Sequence, residues 1–338
     1  MRIRFLAAAK SCKKFNDIKK YNYRTSKMKK TIKVFAPASV TNVSCGFDIM
    51  GYAIDWPGDE VILKIKNRPG IKITKITGDG GKLPVDPKIN TAGLSLLSLA
   101  NHLGFNQGIE LELRKKMALG SGLGSSAASA VASVFALNEI LDKPLSKTDL
   151  LPFALEGEKL TCGGTPHADN VSACLMGGFV IVRSLSPIDV INIKTPPNLY
   201  STIIHPHLEI NTADTRKILR KQILLSDAVK QWGNVAGLVA GLMNSDYGLI
   251  ARSLQDVIIE PIRSILIPGF DDIKNAAIEA GALGCSISGS GPSVFAFSKS
   301  RRTAEIVGEE MRRVLRLIKV KGDLYISKIN KKGPMVIG

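Results

Sequence analysis

Gly120, Gly122 and Gly124 fall within five residues. Ser125, Ser126, Ala127 and Ala128 follow, at the head of a small, apolar run over 127–140. A glycine loop that feeds a helix gathers unpaired backbone N–H groups at one point, and the helix dipole adds positive potential there. Such a loop suits an anion, most often a phosphate. Two familiar phosphate loops are excluded. Gly124 is followed by two serines instead of Lys and Ser/Thr, so this is not a Walker A loop. Ser125 stands where a dinucleotide fingerprint begun at Gly120 and Gly122 needs its third glycine. A flexible hinge would use similar residues, but here the small residues continue into the helix. Ser125 or Ser126 is a natural N-cap, and either hydroxyl could reach a phosphate-bound Mg2+.

Phosphoryl transfer also needs a metal ligand, positive charge on the transferring group and an oriented acceptor hydroxyl. Glu158, near the end of a predicted helix, is the best metal candidate, with Glu156 and Asp149 as rivals; a solvated helix face is the bland alternative. His167, Asp169 and Asn170 lie within four residues after a glycine-rich turn and form a candidate substrate loop. Arg216 and Arg263 are candidates for a substrate carboxylate, because guanidinium forms a bidentate fork with it. A second glycine-serine turn, 284–292, is either a plain tight hairpin or a loop packed against the site. These residues together imply an ATP-dependent small-molecule kinase.

The elements that must position them follow from hydrophobic period and turn residues. A strand over 31–36 leads into a polar loop bearing Thr41, Asn42 and Asp48. Strands are expected over 61–66, 71–76 and 109–114, the last delivering the chain to the glycine loop. Helices are expected over 91–102, 127–140 and 148–160, and a strand over 178–183. A proline-bearing span near 186–197 marks a domain boundary. Beyond it come a strand (200–205), helices (215–224, 226–243, 247–257, 271–280), two strands (284–288, 293–297), a helix (301–317) and a strand (324–328). Stripped of the inserted helices, that is the ferredoxin-like strand–helix–strand–strand–helix–strand order. The fold class is α+β in two domains, 28–187 and 188–338.

The 338 residues allow two domains, and 45% hydrophobic with 22% charged content is ordinary for a globular chain. No run of about 18 apolar residues suggests a membrane span. The net charge is +17, of which residues 1–27 supply +8, nine Lys/Arg against Asp17. That basic extension, 1–27, could be a targeting segment, a basic tail or sequence upstream of a true start at Met28; the last is preferred, since the first strand follows at once. The remaining basic residues are dispersed with few aromatics among them, so neither a nucleic acid nor a membrane is expected as a partner. Five scattered cysteines, odd in number and without a CxxC pair, point to a reducing compartment, the cytoplasm, and to no zinc site. Cys162 and Cys285 lie in glycine-rich stretches and either line the site or fill the core.

Three motifs now agree with one family. The chain resembles the GHMP kinases: 36–48 looks like their first motif, 118–130 like their phosphate loop and 284–297 like their third motif. Within the family it is most similar to the branch that phosphorylates homoserine, over roughly 31–330. The resemblance implies a ribosomal-S5-like N-terminal ATP-binding domain and a ferredoxin-like C-terminal domain, with the site between them. It implies ATP and Mg2+ as cofactors, L-homoserine as the small-molecule substrate, and a homodimer as a possible assembly. ATP would lie on Ala118, Leu119, Gly120, Ser121, Gly122, Leu123, Gly124, Ser125, Ser126, Ala127 and Ala128. Glu158, with Ser126, would hold Mg2+. Asn42, Asp48, His167, Asp169, Asn170, Thr212, Arg216 and Arg263 would bind the substrate. Asn170, Asp169 and Ser126 would serve the transfer itself. Asn170 cannot act as a base but can orient a hydroxyl, which implies direct in-line attack without a dedicated base. The chain departs from the family at Ser44-Cys45, usually Gly-Pro, at Ala118, usually Pro, and in a turn one residue longer before His167. A mevalonate-type or sugar kinase, a nucleotide sensor and an RNA-binding module are the alternatives.

Overall fold

The computed structural model describes residues 30–161, 167–210 and 212–338, without the side chains of Thr212 and Ala213. The basic extension, Cys162 and the turn before His167 lie outside the described residues. The first half runs β1 (Thr31–Thr41), β2 (Met50–Lys66), β3 (Gly70–Thr77), α1 (Thr91–His102), β4 (Gly108–Arg114), α2 (Ser125–Ile140), α3 (Lys147–Glu158), α4 (Ala168–Met176), β5 (Phe179–Leu185) and β6 (Ile188–Ile193). The second runs β7 (Tyr200–Pro206), α5 (Thr212–Lys217), α6 (Leu225–Asn244), α7 (Tyr247–Ser253), α8 (Glu260–Arg263), α9 (Phe270–Glu279), β8 (Gly284–Ile287), β9 (Val294–Ser298), α10 (Arg301–Leu317), β10 (Gly322–Lys328) and β11 (Met335–Val336).

One sheet has the order β11-β1-β2-β4-β3, with β5 pairing the first residues of β2 and β6 pairing β5. Only β3 and β4 are parallel. The 17-residue β2 is its spine. Its start pairs with β5 and its end with β4, while β1 runs alongside both parts through an irregularity between Pro37 and Ser39. Helices α1, α2, α3 and α4 pack together over the sheet. Fourteen of the sixteen residues of α2 are buried. A helix surrounded on every side needs small residues for close approach, which is why 125–140 is rich in Ala and Ser.

The second sheet has the order β10-β7-β9-β8, all antiparallel, covered by α9 and α10. Numbered within that half, the order is 4-1-3-2, the expected ferredoxin-like arrangement, and α5 to α8 are the inserted helices. A small apolar core lies between α9, α10 and this sheet. The larger core is shared, for it joins the first sheet and α1–α4 to Ile203, Leu238, Ile250, Phe295 and Phe297. Tyr52 is its seam. Its ring stacks on Phe179 and meets Phe297 at 5.1 Å, and its hydroxyl lies 2.7 Å from Ser201 Oγ.

Several expectations change. The His167-to-Asn170 stretch is not a loop but the cap and first turn of α4: apolar Val171, Cys174 and Leu175 fall on one buried face and carry the helix on. Strand β6 was unread because it is an edge strand, half exposed and without a strong alternation. It carries the pairing begun by β5 on to Ile193. The helix expected over 215–224 is instead α5, ending at Lys217; the exposed Ile223 and Leu224 have nothing to pack on. The short β11 adds to the free edge of β1.

Candidate functional site

The phosphate loop leaves β4 and enters α2 through Gly120, Gly122 and Gly124, at φ 67°, 75° and 68°. Two of them are also required by space. A Cβ on Gly124 would collide with Ser39 Oγ and Asn170 Oδ1, and one on Gly122 with the carbonyls of Ser288 and Gly291. The backbone therefore lies directly on its neighbours, as a cradle for a ligand does. The N-cap of α2 is Gly124, not a serine, and no side chain caps the helix. Ser125 instead donates to Asp59 Oδ2 at 3.3 Å, below the loop. The first N–H groups of α2 are left for a ligand, with the dipole behind them. Ser121 Oγ is buried without a partner, which fits an anion at this point.

The loop forms one wall of a cavity of about 390 Å³. Leu119, Gly120, Ser121, Gly122, Gly124, Ser125 and Ser126 line it. The side chains of Leu123, Ala127 and Ala128 point into the core, and Ala118 faces a separate hollow beside His205 and His207. Those four could serve a ligand only through their backbone.

The predicted substrate residues meet in the same cavity. Asn42, Asp48, His167, Asp169, Asn170, Arg216 and Arg263 all line the same cavity, as does Glu158. They come from the β1–β2 loop, α3, the start of α4, α5 and α8. Thr212 lies in α5, but its side chain is outside the described residues. Arg216 Nη2 donates to Asp48 Oδ1 at 2.8 Å. Arg263 Nη1 donates to the carbonyl of Gly289 at 3.2 Å. The Nε atoms of both arginines and His167 Nε2 are buried without partners, so the site holds donors that the protein itself leaves unused. Asn170 is fixed from both ends: Ser39 Oγ donates to its Oδ1 at 2.9 Å, and its Nδ2 donates to Thr41 Oγ1 at 3.1 Å.

The loop carrying Asn42 and Asp48 holds four non-glycine residues, Asn42, Val43, Ser44 and Asp48, at positive φ. Such conformations cost energy and persist where surroundings over-determine them. The surroundings here are the turn between β8 and β9. Asn42 Nδ2 donates to Gly289 O at 2.6 Å, Gly289 N donates to Thr41 O at 3.1 Å, and Ser288 Oγ donates to Gly122 O at 2.7 Å. The turn is thus both a tight hairpin and a clasp joining the first motif to the phosphate loop. Cys285 is a buried filler, apart from the cavity.

Charge is tuned accordingly. Burial and the neighbouring charge of Asp48 push the Asp169 carboxyl up to about 6. Burial lowers Arg263 to about 10. Burial pulls the His167 imidazole down, but its contact with Glu158, Nδ1 to Oε2 at 3.3 Å, wins and raises it. Glu158 is almost wholly buried yet faces the cavity. Among the described residues, no group of three or more His, Cys, Asp or Glu gathers to hold a metal. One carboxylate beside a phosphate cradle fits Mg2+, which keeps few protein ligands and takes phosphate oxygens and water for the rest.

Some site residues went unread in the sequence. Phe47 lies between the arginines, its ring 5.0 Å from the Arg263 guanidinium and 5.7 Å from that of Arg216. Leu83, Pro84, Ile89 and Leu160 give the cavity an apolar mouth beside Asn90, which caps α1 by accepting from Ala92 N at 3.1 Å. The one signal for that mouth was a pair of apolar residues in a proline-bearing loop.

Comparison with known proteins sets this geometry beside its relatives. The description "GHMP kinases N terminal domain" matches residues 90–178, and "GHMP kinases C terminal" matches 238–317. A homoserine kinase of Chlorobium phaeobacteroides (strain BS1) is 51% identical over 320 residues, covering 91% of this chain and 100% of the relative. A crystal structure of homoserine kinase from Cytophaga hutchinsonii superposes with a TM-score of 0.90 at 59% identity, covering 92% of this chain and 98% of that one. The mevalonate kinase of L. major, at 18% identity and a TM-score of 0.67 over 88% and 96% of the two chains, shares the fold.

Proposed function

The chain belongs to the GHMP kinase family and is a kinase, and from that premise we propose that it phosphorylates the side-chain hydroxyl of L-homoserine with ATP. The product would be O-phospho-L-homoserine, and the pathway threonine biosynthesis. One observation carries this proposal: a single cavity brings a glycine phosphate loop together with two arginines and two aspartates. Paired opposite charges of that kind recognise an amino-acid zwitterion, for which mevalonate or a sugar has no matching ammonium.

The backbone of the glycine loop and the start of α2 would hold the triphosphate, and the apolar mouth at Leu83, Pro84, Ile89 and Leu160 would take the nucleobase. Glu158 and Ser126 are the residues suited to Mg2+, which when bound neutralises phosphate charge. Arg216 and Arg263 bind the substrate carboxylate, while Asp48 and Asp169 bind its ammonium. Asn42 and His167 complete that wall. Asn170, held by Ser39 and Thr41, orients the acceptor hydroxyl. The hydroxyl oxygen then bonds to the γ-phosphorus as the β,γ-bridging oxygen leaves on ADP, and its proton passes to a phosphate oxygen. Positioning and electrostatics supply the acceleration. Among the described residues no helix is long and apolar enough to cross a membrane; we assign the reaction to the cytoplasm.

An ADP-release assay with homoserine, mevalonate and galactose tests the substrate, and only homoserine should support turnover. For the mechanism, Asn170→Ala should lower kcat about 100-fold, whereas Asp169→Asn should chiefly raise the homoserine KM. Loss of kcat in Asp169→Asn with homoserine affinity unchanged would establish a base mechanism in place of direct attack.

A further inference from the structure

Asp59 of β2 is fully buried beneath the phosphate loop and has no part in the chemistry above. Its two oxygens reach opposite ends of that loop. Oδ1 accepts from the backbone N–H of Lys116 at 2.9 Å and of Met117 at 3.3 Å, where the chain leaves β4. Oδ2 accepts from Ser125 Oγ at 3.3 Å and lies 3.2 Å from Ser129 Oγ, in the first two turns of α2. Oδ2 is also ion-paired with Lys115, whose Nζ donates to Ser125 O and to Ser129 Oγ, each at 2.7 Å. Lys115 is itself buried and forms part of the cavity floor.

Stability does not account for this pair. Burying two opposite charges costs desolvation that their attraction only about repays, and well-packed apolar side chains of the same size often serve as well or better. What an apolar pair cannot supply is direction. Asp59 and Lys115 between them bond to residues just before the loop and just after it. The segment they bracket has three glycines at positive φ, and glycine has the most conformational freedom to lose. A cradle of backbone N–H groups works only when those groups are held at the spacing of the phosphate oxygens.

We propose that the buried Asp59–Lys115 pair is a positioning device that fixes the two ends of the phosphate loop at the separation the ATP triphosphate requires. The proposal rests on the assignment of the loop to ATP. It also answers how a phosphate loop without its own lysine is stiffened: the cation lies behind the loop, holding its frame.

The test separates positioning from stability. The double variant Asp59→Leu/Lys115→Met removes both charges and keeps the volume. It should unfold within a few degrees of the parent, and calorimetric titration with ATP in the absence of homoserine should show affinity at least tenfold weaker. Its KM for ATP should rise in step, while the homoserine KM moves less than twofold. Asp59→Glu keeps the ion pair but lengthens the arm by one methylene, and should show the same split if the double variant does not fold. Either variant, folded and binding ATP within twofold of the parent, overturns the positioning role. A parent chain that binds no ATP overturns the loop assignment and the positioning role with it.

Discussion

A zwitterion needs opposite charges held a few ångströms apart, and Asp48 and Arg216 already are, at 2.8 Å from each other. On the proposed reading, an amino acid entering the site would exchange that contact for two of its own, its ammonium going to the aspartate and its carboxylate to the arginine. Arg216→Ala should therefore raise the homoserine KM about tenfold to 100-fold, the cost of one charge-assisted contact of roughly 1.5–3 kcal/mol, and leave the ATP KM nearly unchanged. Initial rates against each substrate in turn would show it. Phe47→Leu should raise the same constant about fivefold to 30-fold, since a ring beside two guanidinium groups contributes on the order of 0.5–1 kcal/mol each. Asp169 adds a pH signature. Its carboxyl titrates near 6 because burial and Asp48 disfavour its charge, so the homoserine KM should climb as pH falls through about 6. The folded chain holds that proton more tightly than the unfolded one. The stability this provides is present at low pH and lost as pH rises from about 4 to 6. Asp169→Asn should accordingly raise Tm at pH 7 in scanning calorimetry, while kinetics show weaker use of homoserine by the same variant. At this scale the sequence was legible wherever a residue type had few other uses: Arg216, Arg263, Asp48 and Asn170 all reached the cavity. Phe47 and Ser39 were not legible, because an aromatic or a serine near a strand end looks the same whether it packs a core or braces a residue of the cavity.

Elements decide whether those residues meet. The phosphate loop is held by the β8–β9 turn above and by α2 below, and Gly124 touches both Ser39 and Asn170. Gly124→Ala faces a collision as well as an unfavourable φ, so kcat/KM should fall at least about 100-fold, a loss of roughly 3 kcal/mol, while the circular dichroism of the helices stays intact. Helices with strong period and clear caps were legible to the residue, as α1 and α10 illustrate. Element α4 was hidden because its first turn is built from the polar residues that line the cavity. A binding surface at a helix N-terminus erases the apolar period there. Strand β6 was hidden for the opposite reason: an edge strand has little to bury, so alternation is not enforced.

At the scale of the molecule, two sheets share one core. Tyr52, from the first, is enclosed by Phe179, Phe295 and Phe297 and bonded to Ser201 of the second. Tyr52→Ala should cost about 3–5 kcal/mol, and both halves should still melt in a single calorimetric transition, because neither can expose its side of the seam alone. Two separated transitions would mean that the halves are energetically independent. The proline-bearing span near 186–197 suggested a boundary between halves 28–187 and 188–338, but the seam was not legible, since no local period reveals which aromatic residues meet across a boundary. The seam has a practical consequence. On the proposed reading, a cleft whose walls share one core behind it would open little by swinging two rigid bodies, and nucleotide and amino acid would enter through its mouth. Crystals grown without ligand should therefore tolerate soaking in ATP analogue and homoserine with unit-cell edges unchanged and without cracking.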